Sequence, residues 1–396
     1  MKLLFLSTVG NSCGIATYTT NLIKGFSEDV KCVQYPIPTM SELGGLKPVA
    51  IQALFTKFVD MSDDFDVVHI QHEHGLFHGV GDESDAICQF AKVIEQLANK
   101  QKKVFVTFHS DPVFFRTWLD VIKRRDGFLP TLLMKTLSKI WKKKVSKWFT
   151  KKYPNINAVV HTHTSKKEFI KSGFDEENVQ VISHGVISRD ILFKEVNPDQ
   201  GIINLTIFGF ISGYKGYHTA IRALQYLPEN YRLICLGGRH PNSIGTEYDD
   251  ILNFAADRDC ETIERKLPLN LVYDKITITG YATEHEANIW HKKTDICLAP
   301  YQDKTLSGSG ALTWSLTSGQ PVIASDIPSF KAINDEYNCM QITAVHGHHE
   351  LSWAIKKVVN DVKLQRTLAH NANKYCTDNS WENIAGLHVN EYTRST

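Results

Sequence analysis

The sequence predicts an α/β protein built from two doubly wound domains facing across a cleft. Three observations lead there. Short apolar runs alternate with helical patterns along the chain, as they do when helices cover a parallel sheet. The alternation restarts near residue 200, after the polar, turn-rich stretch Lys194-Glu195-Val196-Asn197-Pro198-Asp199-Gln200-Gly201. A chain of 396 residues also exceeds one ordinary core, so the expected domains are 1–196 and a second beginning at 197.

The strand-like runs of the first half are 2–7, 66–70, 103–108, 157–161 and 179–182. Those of the second half are 203–209, 231–236, 275–279, 295–299 and 321–324. Met1 to Ser7 is too short an apolar run for a secretory signal and leads into a glycine turn, so it reads as the first buried strand. With 42% hydrophobic and 22% charged residues the composition is that of a soluble globular protein, and a net charge of +1 argues against a nucleic-acid partner. Eight scattered cysteines without a Cys-x-x-Cys pair fit reduced core thiols and a cytoplasmic location. No apolar run is long enough to span a bilayer.

Ligands of such sheets bind beyond the carboxyl ends of the strands, and that is where the polar motifs collect. Gly10 and Gly14 in "TVGNSCGIATYTTNL" form a strand-to-helix turn whose amides suit a phosphate, although the spacing is not that of a dinucleotide fingerprint. "FHSD" with His109 follows another strand. "FGFISGYKGYHTAIRAL" places Lys215 and Gly216 before a helix starting near Tyr217, where an ammonium can neutralise a departing diphosphate. In "LSGSGALTWSLTSGQPVIASDIPSF" small residues precede a short helix over 311–318, so the amides of Ser309, Gly310 and Ala311 face a possible anion.

The stretch "IQHEHGLFH" holds three histidines and a glutamate, but its spacing is not the His-Glu-x-x-His of a zinc protease, and Gly75 interrupts any helix. It reads as a loop over a ligand crevice, with His72, Glu73 and His74 as contacts and no metal. Met134 to Tyr153, "MKTLSKIWKKKVSKWFTKKY", carries eight lysines and no acid. Leu137, Ile140, Trp141, Val145, Trp148 and Phe149 recur on it at helical spacing, which suits either a domain helix with a solvated face or an anionic membrane surface.

Taken in order, the Gly14 turn, "VFVTFHSD", "VQVISHGV", "GFISGYKG" and "LTSGQPVIASDIPSF" resemble the family 4 retaining glycosyltransferases of the GT-B fold. The resemblance covers nearly the whole chain. It implies two Rossmann-like domains, an acceptor domain at 1–196 and a nucleotide-sugar domain at 197–378, with 379–396 ("SWENIAGLHVNEY") as a helix returning to the first. It also implies transfer of a hexosyl group from a UDP- or GDP-sugar to a carbohydrate, lipid-linked or protein acceptor with retained anomeric configuration, without a cofactor or metal. Gly14 matches the glycine that approaches the donor phosphate, His109 the histidine near the transferring sugar, and Lys215 the lysine of Arg-x4-Lys. His184 and Gly185 occupy the Asn-Gly turn.

Two positions depart from that pattern. Phe210 replaces the arginine of Arg-x4-Lys, and the family's Glu-x7-Glu falls on Leu306 and Trp314. The small-residue loop then supplies amides in place of side chains, with Asp303 as the substitute acid. The missing glutamates also leave room for a non-catalytic nucleotide-sugar-binding protein or a nucleotide-sugar epimerase on the same architecture.

Overall fold

The protein is a computed structural model that describes residues 1–10, 13–38, 48–73, 76, 83–110, 145–187, 193–199, 201–238, 274–304 and 306–394. The chain divides into two compact units. One comprises Met1–Gly185, Thr305–Gly308 and Trp381–Thr396, the other Val186–Lys304 and Ser309–Ser380.

The first unit is built on β1 (Lys2–Ser7), β2 (Lys31–Pro36), β3 (Val67–His72), β4 (Lys103–Phe108), β5 (Ile156–Val160) and β6 (Val179–Val181), in the order β2-β1-β3-β4-β5-β6. Every pairing is parallel. Helices α1 (Gly14–Gly25), α2 (Pro48–Met61), α3 (Glu83–Asn99), α4 (His163–Lys171) and a terminal helix (Trp381–Thr393) belong to this unit. Both faces of the sheet are covered, so its central strands are buried almost throughout, and Leu4, Leu6, Val68, Ile70, Val104 and Val106 lie in one continuous core.

The second unit contains β7 (Ile203–Phe208), β8 (Tyr231–Leu236), β9 (Ile276–Ile278), β10 (Ile296–Ala299), β11 (Val322–Ser325) and β12 (Met340–Thr343). Their order is β12-β11-β10-β7-β8-β9, again parallel throughout, and it is the strand order of the dinucleotide-binding doubly wound sheet. Two features follow for the site. The order reverses between β7 and β10, so the loops leaving these two strands diverge and open a crevice at their carboxyl ends. In the first unit the same reversal lies between β1 and β3.

The expected strands are present within a residue or two, but β2 and β12 have no counterpart in the sequence reading. Both are edge strands, where one flank needs no apolar cover, and β2 is only partly buried along its length. The lysine-rich segment also differs from expectation. Residues 134–144 lie outside the described residues, while Val145 to Tyr153 passes from two helical residues into turns. Val145, Trp148 and Phe149 are buried in the core of the first unit, so this part of the apolar stripe faces protein and not lipid. No helix among the described residues is long and apolar enough to cross a membrane.

The turn after β7 depends on one glycine. The short 3-10 turn Gly213–Lys215 ends on Gly216 at φ 73°, ψ 27°, a left-handed conformation that glycine adopts freely. A Cβ there would lie 1.8 Å from the carbonyl oxygen of Pro300. Gly216→Ala is therefore expected to cost about 2 kcal/mol or more through strain and backbone overlap, read as a lower denaturation midpoint. An unchanged midpoint would refute this account of the turn.

Candidate functional site

At the carboxyl ends of β7 and β10 the second unit gathers Gly209, Lys215, Tyr301, Ser309 and Ala311. Lys215 is only 5% exposed, and its Nζ donates to the Tyr301 hydroxyl at 2.6 Å. It also lies 4.6 Å from the centroid of the Tyr301 ring. No carboxylate among the described residues forms an ion pair with it. Ser309 joins the same hydroxyl at 3.1 Å and accepts the amide of Leu312 at 3.2 Å, capping a seven-residue helix, α5 of the sheet's exit loops, over Gly310–Leu316. Gly209, at φ 112°, makes room for the ammonium: a Cβ there would sit 2.9 Å from Lys215 Nζ and 3.3 Å from Ala311 Cβ. The result is a buried cluster of hydrogen-bond donors around one cation, a composition that complements an anion.

The first unit collects aromatic and imidazole rings. Tyr18, on α1, meets His109, His184 and Trp381 edge-on at centroid distances of 4.9, 5.1 and 4.9 Å, and lies 5.6 Å from His161. The Gln71 side-chain oxygen can only accept, so His109 donates from Nε2 to it at 2.8 Å. His161 likewise donates from Nδ1 to the carbonyl of Ile182 at 3.0 Å, which leaves its buried Nε2 as an acceptor without a partner. Burial holds all three imidazoles neutral at ordinary pH. It pushes His161 down to about 4 and, with help from His161, His184 down to about 3. His109 is held well below the usual histidine range, by burial first and by His161 and His184 second. Neutral imidazoles and a tyrosine hydroxyl can exchange hydrogen bonds with hydroxyl groups without bringing net charge.

Deeper in the same unit His69 bridges elements far apart in sequence. Its Nε2 meets the Thr107 hydroxyl at 2.8 Å, its Nδ1 bonds Tyr392 of the terminal helix, and its ring stacks on Phe5. Burial lowers its pKa and brings that of His388 to about 3.

Comparison with known proteins shows what the chain is similar to. Residues 188–375 match the model of the family "Glycosyl transferases group 1". Among solved structures, Anabaena HepE in complex with UDP and glucose is 15% identical over 99% of both chains, with a TM-score of 0.65. Sucrose-phosphate synthase from Thermosynechococcus elongatus is 15% identical over 99% of this chain and 98% of its own, at 0.67. A glycosyltransferase from Rickettsia africae is 14% identical over 99% and 97%, at 0.64. The fold is that of the GT-B glycosyltransferases. No curated protein matches the sequence.

In this GT-B chain the residues expected at the site fall into three groups. Lys215, Ser309 and Ala311 meet around Tyr301 and Gly209, with Gly310 exposed beside them as the first helical residue. Asp303 is half-buried two residues after Tyr301. His109, His184 and Gly185 lie in the first unit. His184 Nδ1 bonds the Gly185 carbonyl at 2.7 Å, and a Cβ on Gly185 would overlap the Trp381 ring. Gly14 opens α1 with open space where a side chain would stand.

The histidine stretch needs correcting. His72, expected in a loop, is the last residue of β3, 3% exposed, with its ring 4.3 Å from Phe90 and 4.8 Å from Phe108. It is therefore a buried strand-end residue rather than a loop residue. Glu73 accepts from the Ser110 hydroxyl at 2.6 Å, and His74 lies outside the described residues. Leu306, in the register of the family's first glutamate, forms an isolated antiparallel bridge with Ser110. Tyr301, Tyr18, His161 and Trp381 were not anticipated. Tyr301 follows a strand by two residues, but what singles it out is its contact with Lys215, 86 positions earlier.

Burial of neutral histidines makes the fold acid-sensitive. Their folded pKa values lie below the roughly 6.5 of a free histidine, so the unfolded chain takes up protons that the folded chain refuses. The stability they allow is complete above about pH 7 and is lost as pH falls through 6.5 toward 4. The melting temperature is expected to drop steadily over that interval, and less steeply in His161→Gln. A flat profile from pH 7.5 to 5 would contradict the neutral assignments.

Proposed function

We propose that the protein is a retaining hexosyltransferase that moves a sugar from a UDP- or GDP-sugar to a carbohydrate, lipid-linked or protein acceptor. The carrying observation is Lys215. A buried ammonium with three N–H donors and a single hydroxyl partner calls for an anion, and it lies where doubly wound sheets bind phosphates. The diphosphate of a nucleotide sugar supplies that anion, and the UDP in HepE is in keeping with it.

In the proposed reaction the bond from the anomeric carbon to the diphosphate oxygen breaks and its electron pair leaves with the diphosphate. The acceptor oxygen bonds the anomeric carbon on the same face, and its proton passes to a departing phosphate oxygen. Lys215 stabilises the negative charge that develops there, with the Ser309 to Ala311 segment beside it. His109, neutral and fixed by Gln71, is suited to hold a sugar hydroxyl. This scheme asks nothing of the missing Glu-x7-Glu carboxylates and needs no metal.

The test combines UDP- and GDP-hexoses with candidate acceptors and follows release of the nucleoside diphosphate. Lys215→Ala is expected to lower turnover roughly a hundred- to a thousandfold, and wild-type turnover is expected to survive chelation. Unchanged turnover in Lys215→Ala would remove the main support. Binding without turnover would point to a non-catalytic protein, and conversion of donor without acceptor to an epimerase.

A further inference from the structure

The hydrogen bonds around Lys215 do not close. Tyrosine carries one hydroxyl proton and two lone pairs, and the Tyr301 oxygen receives Lys215 Nζ at 2.6 Å and Ser309 Oγ at 3.1 Å. Both lone pairs are then occupied, and among the described residues the tyrosine's own proton has no acceptor. Reversing the Tyr301–Ser309 bond transfers the surplus to Ser309, because two hydroxyls hold two protons and share one bond. The geometry has Ser309 Oγ donating to the Tyr301 oxygen, while its own oxygen accepts the Leu312 amide at 3.2 Å. Lys215 has two further N–H groups in the same condition. Tyr301 is 2% exposed and Lys215 5%, so water does not readily satisfy these donors.

We propose that Tyr301 is a second side-chain donor to the oxyanion that Lys215 binds, through the hydroxyl proton left over from its bonds to Lys215 and Ser309. This rests on the donor-diphosphate reading above and assigns a further binding residue to it. The ring is held for the task by Phe330, 5.1 Å away, and by the edge of Tyr214 at 5.8 Å. Burial raises the hydroxyl's pKa, so it stays protonated and able to donate. Gly209 keeps the space beside Lys215 Nζ free of a side chain. Two donors on one phosphate oxygen, or on neighbouring ones, are what the absence of an arginine at Phe210 leaves to be supplied.

A double-mutant cycle separates direct donation from an effect exerted through Lys215. UDP and inorganic pyrophosphate are titrated calorimetrically into wild type, Tyr301→Phe, Lys215→Met and the double variant. Tyr301→Phe is expected to weaken pyrophosphate binding about tenfold or more, and still severalfold in the Lys215→Met background. A Tyr301→Phe effect that vanishes without Lys215 would reduce Tyr301 to a positioning role and overturn the proposal. UDP binding to wild type with Tyr301→Phe unaffected would overturn it while leaving the proposed function standing. Wild type that binds neither probe would remove the reading beneath it. Should Tyr301→Phe not fold, as judged by its unliganded melting curve, a crystal structure of wild type with UDP decides. Tyr301 Oη is then expected about 2.7 Å from a phosphate oxygen, and a separation beyond about 3.5 Å would overturn the proposal.

Discussion

One unneutralised charge organises the second unit's site. The Lys215 ammonium is taken out of water, given a phenol oxygen at 2.6 Å, and no carboxylate among the described residues is paired with it. A buried cation in that condition is stable only if the fold holds it there and something else completes its coordination. The fold supplies the first requirement with two glycines. Gly216 turns the chain against the Pro300 carbonyl, and Gly209 lets the side chain fold back over the end of β7. The sheet supplies the second, because reversal of strand order between β7 and β10 leaves a crevice where both loops end.

The first unit solves a different problem. Its imidazoles are buried in neutral form and each is held through at least one nitrogen: His109 by Gln71, His161 by a backbone carbonyl, His69 by Thr107 and Tyr392. The chemistry of the two units is correspondingly distinct. One presents a cation and hydroxyl protons, the other uncharged rings with both donor and acceptor nitrogens.

How far these features could be read from sequence follows from how local each one is. Central strands such as β1 and β7 announce themselves because both faces are covered and the run is apolar. Edge strands β2 and β12 do not. Lys215 was legible because its glycine-flanked turn is contiguous. Tyr301 was not, since its significance lies in meeting a residue 86 positions away. His72 was misread for a related reason: β3 runs two residues past its apolar stretch, and Gln71 and His72 are polar yet buried. Hydrophobic pattern marks where a strand begins to be apolar, not where burial ends.

The bond between His69 and Tyr392 has a bearing on how the chain is made. All six strands of the first unit's sheet lie before residue 185, but its buried imidazole takes a partner from a helix that begins at Trp381. During synthesis that helix leaves the ribosome only after the whole second unit has done so. Until then His69 lacks its Tyr392 partner, so a buried polar contact of the amino-terminal unit is completed only after the second unit has been synthesised.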